Sequence, residues 1–262
     1  AIVYYEKPLL VFKRIVSNFI STSPRGGRSF IQAMKIWIGG KIYLKDILKT
    51  ELALLYSLNT SRLPEILFTK HHQSHAAAAF YPSPFKEAVI LCMDGVGEWA
   101  TTSTWIGNNN EIKPLWEISF PHSLGLLYSA FTHYCGFKVN SGEYKLMGLA
   151  PYGEPKYIQK IKDNLIDIKD DGTFRLEISF FKYHRGFQMT SRKFHKLFEE
   201  SPRTSKKELT QFHMDLAASI QVITEEIIIK IAKSLKKETG LKKLCLSGGV
   251  ALNCVANGKL IE

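Results

Sequence analysis

The stretch EAVILCMDGVGE, residues 87–98, runs from an apolar segment of strand length into an acid set among glycines. An apolar run without polar alternation is the mark of a strand covered on both faces, as in layered α/β proteins. A second such unit lies near the other end of the sequence. Lys243–Leu246 (KLCL) reads as a strand and leads into Ser247-Gly248-Gly249-Val250-Ala251-Leu252-Asn253. Strand, glycine pair and helix start together make a nucleotide-site unit of α/β type, because backbone N–H groups at a helix start favour anions.

Outward from these strands the pattern stays mixed. Glu65–Thr69 is a short strand, and His71–Phe80, with its AAAA run, is a helix that stops before Pro82. Thr101–Ile106 and Glu111–Ser119 form a hairpin around Gly107-Asn108-Asn109-Asn110. Ser123–Tyr134 and Lys145–Leu149 are helical. Glu208–Lys237 is the strongest helix: Leu209, Phe212, Leu216, Ile220, Ile223, Ile227 and Ile231 form one stripe, and Gly240 ends it. Residues 1–65 read as a basic helical segment, with helices behind Pro8, over 30–38 and over 42–58. Residues 66–262 read as the core, with the polar stretch 155–205, including a strand at 173–180, as an insertion or small lobe.

The chain has 262 residues and a formal charge of +11, 45% of it is hydrophobic, and Gly and Pro are ordinary at 18 and 10. This excludes disordered, collagen-like and low-complexity classes. The positive charge is spread out; its densest part, Lys233, Lys236, Lys237, Lys242 and Lys243, reads as a solvated helix face, with nucleic-acid contact as the other reading. Cys92, Cys135, Cys245 and Cys254 form no CxxC pair, which excludes a zinc ribbon and fits buried free thiols in a reducing, cytoplasmic compartment. The uncharged run Ile118–Phe137 carries Pro121, His122, Ser123 and His133 and is not read as a membrane span. The sequence opens on alanine and stops soon after Leu260, as a fragment of a longer chain would.

Four motifs carry possible chemistry. His71 and His75 stand four apart, on one helix face, where two imidazoles can ligate one metal or simply be two surface or core histidines. Asp94 closes an apolar strand, a place for a carboxylate that binds a cation, although Asp-Gly also fits a plain hairpin turn. Together the three would make an open site suited to a catalytic metal. In SGEYKLMGLAPYG (141–153), Lys145 can neutralise a phosphate, Glu143 can hold ribose hydroxyls or orient the lysine, and Gly153 permits close backbone approach; an ordinary Glu–Lys loop has the same residues. In the last motif Gly248 and Gly249 present backbone N–H groups and Asn253 lies in the first helical turn, unless the pair is a bare turn; it is not a Walker loop.

Taken together, KHHQSHAAAAFYPS (70–83), LCMDGVGEWAT (91–101), FPHSLGLLYSAFTHYCGF (120–137), GEYKLMGLAPYGEP (142–155) and LSGGVALNCVANGKL (246–260) resemble the O-carbamoyltransferase family, the nodulation-protein and tobramycin-carbamoyltransferase type. A more distant resemblance is to the ATP-binding tRNA threonylcarbamoyl-transferring proteins. The resemblance implies an α/β actin-like (ASKHA, ribonuclease H-like) fold with mixed sheets flanked by helices, incomplete here. It implies a divalent metal, iron or zinc, on His71, His75 and Asp94. It implies ATP or carbamoyl adenylate at Gly248, Gly249 and Asn253, with Glu143, Lys145 and Gly153 facing the nucleotide or carbamoyl phosphate. The implied reaction moves the carbamoyl group from the adenylate to a hydroxyl of a small acceptor, the adenylate being made from carbamoyl phosphate and ATP by a YrdC-like domain. By the same resemblance an N-terminal hairpin with a further histidine would precede Ala1, and another metal-ligating aspartate would follow Glu262, so this piece alone would be inactive. A tRNA-directed ATP-binding protein and a non-catalytic actin-like nucleotide module are the alternatives; nucleic acid and membrane are not expected partners.

Overall fold

The computed structural model describes residues 1–261, in two units. The first comprises residues 1–74, 97–99 and 184–186. Strand β1 (Ile2–Tyr4) pairs in parallel with β2 (Ile66–Phe68), joined through helices α1 (Pro8–Thr22), α2 (Gly27–Ile38) and α3 (Leu44–Leu55). Pro8 takes the first helical position, where its missing N–H costs nothing. Phe19 stacks on Phe30 at 4.1 Å and Phe12 meets Trp37 at 5.2 Å, which ties α1 to α2. The long helix expected over 42–58 is shorter: residues 41–43 form a 3₁₀ turn, and Ser57, at positive φ, follows the end of α3.

The second unit holds residues 75–96, 100–183 and 187 onward. Helix α4 (His71–Phe80) runs unbroken into it. Its main sheet has the order β5-β4-β3-β8, made of β3 (Glu87–Met93), β4 (Ala100–Asn108), β5 (Glu111–Ser119) and β8 (Leu244–Ser247). β3 is antiparallel to β4 and parallel to β8, in the register Val89↔Leu244 through Cys92↔Ser247. The α/β class with a mixed sheet and flanking helices therefore holds.

Both faces of β3 are buried, as the unbroken apolar run requires. Ala88, Ile90 and Cys92 face Ala76 and Phe80 of α4 together with Trp105 and Cys245. Val89, Leu91 and Met93 face the larger core, built on α5 (Leu124–Tyr134), α6 (Glu143–Leu149) and the 29-residue α9 (Gln211–Thr239). Gly107 is required beneath α4, since a Cβ there would lie 2.6 Å from the Phe80 ring.

The stretch 155–205, read as an insertion or small lobe, shares its core with α9. It contains α7 (Ile158–Asn164), the small hairpin β6 (Ile166–Ile168) and β7 (Phe174–Leu176), and α8 (Arg192–Phe198). Ile161, Leu165, Phe174, Phe181, Phe194 and Phe198 are buried in the same core as α9. β2 and the first turn of α4 belong to the first unit. The glycine pair opens a 3₁₀ turn, residues 249–252, and α10 (Cys254–Ile261) starts only after Asn253. Cys92, Cys135 and Cys245 are buried thiols, whereas Cys254, at the start of α10, is exposed. Among the described residues no helix is long and apolar enough to cross a membrane.

Candidate metal centre and adjoining cavity

Because β3 and β8 are parallel neighbours, their carboxyl ends deliver two loops side by side, the usual place for a ligand in an open α/β sheet. Asp94 leaves β3 there, and Ser247-Gly248-Gly249 leaves β8. The approach is too close for side chains: a Cβ on Gly248, which has φ +89°, would lie 2.2 Å from the Met93 carbonyl oxygen. A Cβ on Gly125 would lie 2.7 Å from the Asp94 carbonyl oxygen. The turn after Asp94 is further held by Ser123, the N-cap of α5, whose Oγ lies 2.6 Å from the Gly95 carbonyl oxygen.

The two carboxylate oxygens of Asp94 have separate surroundings. Oδ1 accepts from Gly95 N–H at 2.8 Å and from Gly249 N–H at 3.3 Å. Oδ2 lies 3.3 Å from His75 Nε2. The other imidazole nitrogen, Nδ1, lies 3.3 Å from Ser247 Oγ. Strand β8 thus orients the ring that α4 supplies. His71 stands one turn earlier on the same face of α4, so the helix itself sets its place relative to His75.

Glu98, from the same glycine-rich stretch, has a different task. It is buried, and its carboxylate accepts from Lys7 N–H at 2.8 Å and from His71 N–H at 3.0 Å. A carboxylate there satisfies an orphan N–H at the start of α4 and complements the helix dipole. Gly97 leaves room for this contact, since a Cβ would lie 3.0 Å from His72 and 3.1 Å from His71.

Asp94 and Gly249 also line a cavity of about 350 Å³, together with Gly95, Tyr128, Ser129, Glu143, Met147, Thr224 and Asn253. Glu143 is fixed at its rim: Oε1 accepts from Ser129 Oγ at 2.7 Å and from Asn140 N–H at 3.0 Å. Burial pushes the Tyr128 phenol well above its usual range, with nearby Glu143 adding to the rise. Burial likewise pushes the Cys92 thiol, behind Asp94, up to about 12, against a hydrogen bond with Ser103 that lowers it, so it stays a thiol at neutral pH.

Of the residues singled out in the sequence, the structure gathers Asp94, Gly249, Asn253 and Glu143 around one cavity and places His75 next to Asp94, with His71 one turn earlier on the same helix. Gly248 makes the tight approach to β3. Lys145 is exposed, with its ammonium 5.9 Å from the Tyr144 ring centre, and does not line the cavity. Gly153 does meet a backbone closely, but that of α9: a Cβ would lie 2.0 Å from the Met214 carbonyl oxygen. Ser123, Gly125, Tyr128 and Ser247 complete the site. Nothing local in the sequence marked the first three as such, although Ser247 stands next to the glycine pair.

The family described as Carbamoyltransferase N-terminus matches residues 1–262. The chain is 60% identical over its whole length to the Synechocystis protein sll1178, itself described as uncharacterized, and covers 42% of it. It is 34% identical, over 87% of its length, to the nodulation protein NolNO of Sinorhizobium fredii, and covers 31% of that protein. Among solved structures, T. kodakarensis HypF aligns at 15% identity with a TM-score of 0.37, over 80% of this chain and 34% of that one. The chain thus spans well under half the length of the curated relatives it matches. With the family matched from the first residue to the last, the chain belongs to the carbamoyltransferase N-terminus family.

Proposed function

We propose that this chain is the transfer part of an ATP-dependent O-carbamoyltransferase of actin-like fold, moving a carbamoyl group from carbamoyl adenylate to a hydroxyl of a small acceptor. Membership of the family supports carbamoyl transfer in general. The finer reading is carried by one observation: His75 Nε2 and Asp94 Oδ2 meet at 3.3 Å, with His71 on the same helix face, beside the cavity that Asp94 itself lines.

The donor set fits a divalent cation. Two imidazoles and one carboxylate leave coordination positions open, and their N and O atoms suit iron or zinc. With Nε2 deprotonated, His75 Nδ1–H donates to Ser247 Oγ, the outer hydrogen bond that fixes a ligating imidazole. Asp94 keeps one oxygen for the backbone and turns the other to His75. A cation on these residues supplies Lewis acidity toward a carbonyl or hydroxyl oxygen.

The chain's own groups account for the rest. The cavity beside Asp94 takes the adenylate, where the Gly249 loop closes one side and Glu143 and Tyr128 face sugar hydroxyls. In the transfer the acceptor hydroxyl oxygen forms a bond to the carbamoyl carbon, the bond from that carbon to the AMP oxygen breaks, AMP leaves as its phosphate anion, and the hydroxyl proton passes to solvent. Lys145 and Gly153 take no part, the one being exposed and the other packed under α9.

Metal analysis of the chain purified under reducing, chelator-free conditions tests the centre. The expected result is about one iron or zinc per chain, lost in His75→Ala and in Asp94→Asn. A metal-free wild type that takes up neither ion on titration would overturn the reading.

A further inference from the structure

One residue outside the cavity controls what two of its lining side chains can offer. Gln221, on α9, is buried and does not line the cavity. Asn253 and Tyr128 do line it. The polarity of the three side chains follows from a single backbone group. Ala256 N–H is only a donor, so the Asn253 atom 3.0 Å from it must be the carbonyl oxygen Oδ1. Asn253 Nδ2 is then left to Gln221, where the atom at 2.9 Å must be the acceptor Oε1. Gln221 Nε2 donates back to Asn253 Oδ1 at 3.0 Å and also to Glu225 Oε1 at 2.9 Å. The Tyr128 hydroxyl lies 3.0 Å from Gln221 Oε1, an atom that only accepts, so the hydroxyl donates to it.

We propose that Gln221 is a positioning residue of the cavity: its amide locks Asn253 and commits the Tyr128 hydrogen, so that Tyr128 meets the ligand only as an acceptor. The wall formed by Tyr128 and Glu143 therefore takes hydroxyl or N–H donors, the sugar or base of a nucleoside, and not phosphate oxygens. The ligand named here rests on the nucleotide reading of the cavity, whereas the lock itself rests on the hydrogen bonds alone.

The test uses the 262-residue chain, with adenosine as probe because it carries no titrating phosphate. Two variants are compared with wild type at about pH 6 and about pH 8. Gln221→Met fills the space without polar atoms. Gln221→Glu keeps the acceptor and the donor to Asn253 only when its carboxyl is protonated, which burial beside Glu225 favours at the lower pH, while the second donor, to Glu225, is lost. Around this position the titratable groups are Glu225 on its own helix, Tyr128 on α5 and Glu143 on α6.

Loss of the hydrogen bonds predicts about tenfold weaker adenosine binding in Gln221→Met at both pH values. It predicts a similar loss in Gln221→Glu at the higher pH and recovery at the lower, with wild type unchanged between them. A merely structural residue would not give that pH-dependent rescue. Hydrogen exchange of the Asn253 side-chain amide, followed by NMR, reads the lock without any ligand: it is slow in wild type and fast in Gln221→Met. Should the methionine variant fail to fold, Gln221→Glu supplies the same contrast between the two pH values. Slow exchange persisting when the Gln221 amide pattern is absent overturns the proposal, as does unchanged adenosine binding in both variants. If wild type binds no adenosine, the nucleoside assignment falls, and the exchange measurement alone decides the lock.

Discussion

Asp94 shows how much a single carboxylate can be asked to do. Backbone N–H groups hold one of its oxygens and His75 faces the other, so its charge is both anchored and directed. Ser247 acts one step further out, through His75 Nδ1. Ser247→Ala should therefore weaken cation binding about 10–100-fold, as loss of an outer-shell partner does, with little change in unfolding midpoint. Titration calorimetry with zinc checks this, and equal affinity in variant and wild type would remove Ser247 from the centre. The histidine pair and the strand-end acid were legible as residue types at a spacing. The serine's partner lies 172 residues away, and no local pattern announces such a meeting. A second residue-scale prediction concerns Asp215, whose burial pushes its pKa up. The Gln211 amide, the Glu154 N–H and Lys156 outweigh that effect and hold it below the ordinary range. With the folded pKa depressed, the unfolded chain takes up the proton first as pH falls. The stabilisation is complete above the ordinary carboxylate range, about pH 4, and is lost as pH falls through the folded value. Asp215→Asn should thus cost about 1–3 kcal/mol at neutral pH, with the difference shrinking as the pH is taken below about 4. Urea unfolding at neutral and at acid pH gives the comparison.

At the scale of elements, legibility followed length and continuity. β3 and α4 match the sequence reading from end to end, because an unbroken apolar run and an alanine-rich helix stopped by proline leave little choice. α7 and α8 have seven residues each and β6 has three, too few for a hydrophobic period to show. Contact with α9 and α5 shapes them instead. The turn at 150–153 belongs to the same class. Its glycine looked like a place for a ligand, yet its neighbour is the backbone of α9. Gly153→Ala would set a methyl carbon 2.0 Å from the Met214 oxygen, so the turn or the helix must move. We expect a loss of about 2–4 kcal/mol, measured by denaturant unfolding, whether or not nucleotide is present. An alanine variant as stable as wild type but poor in nucleotide binding would return Gly153 to the site. At Ile90, buried on the α4 side of β3, truncation to alanine should cost about 2–5 kcal/mol by the same measurement.

For the molecule as a whole, the division into two units makes the cation a probe of where stability resides. A chain in two parts need not unfold in one step, so calorimetry on it can resolve more than one transition. His75, Asp94 and Ser247 all lie in the second unit, and the sheet that carries Asp94 and Ser247 is the centre of that unit's core. A cation that binds only the folded arrangement stabilises it by RT ln(1 + [L]/Kd), about 2.7 kcal/mol at a hundredfold excess over Kd. For a unit of this size each kcal/mol raises the midpoint by roughly 2–4 °C. Adding zinc or ferrous iron to the metal-free chain should therefore move the transition of the second unit upward by about 5–10 °C. Any separate transition of the first unit should move less, since it holds no strand of the main sheet. His75→Ala should abolish the shift while leaving the metal-free scan close to wild type, because that side chain is partly exposed and packs no core. The same upward shift in His75→Ala would mean that the cation binds elsewhere, and the meeting of α4 with the end of β3 would then need another explanation.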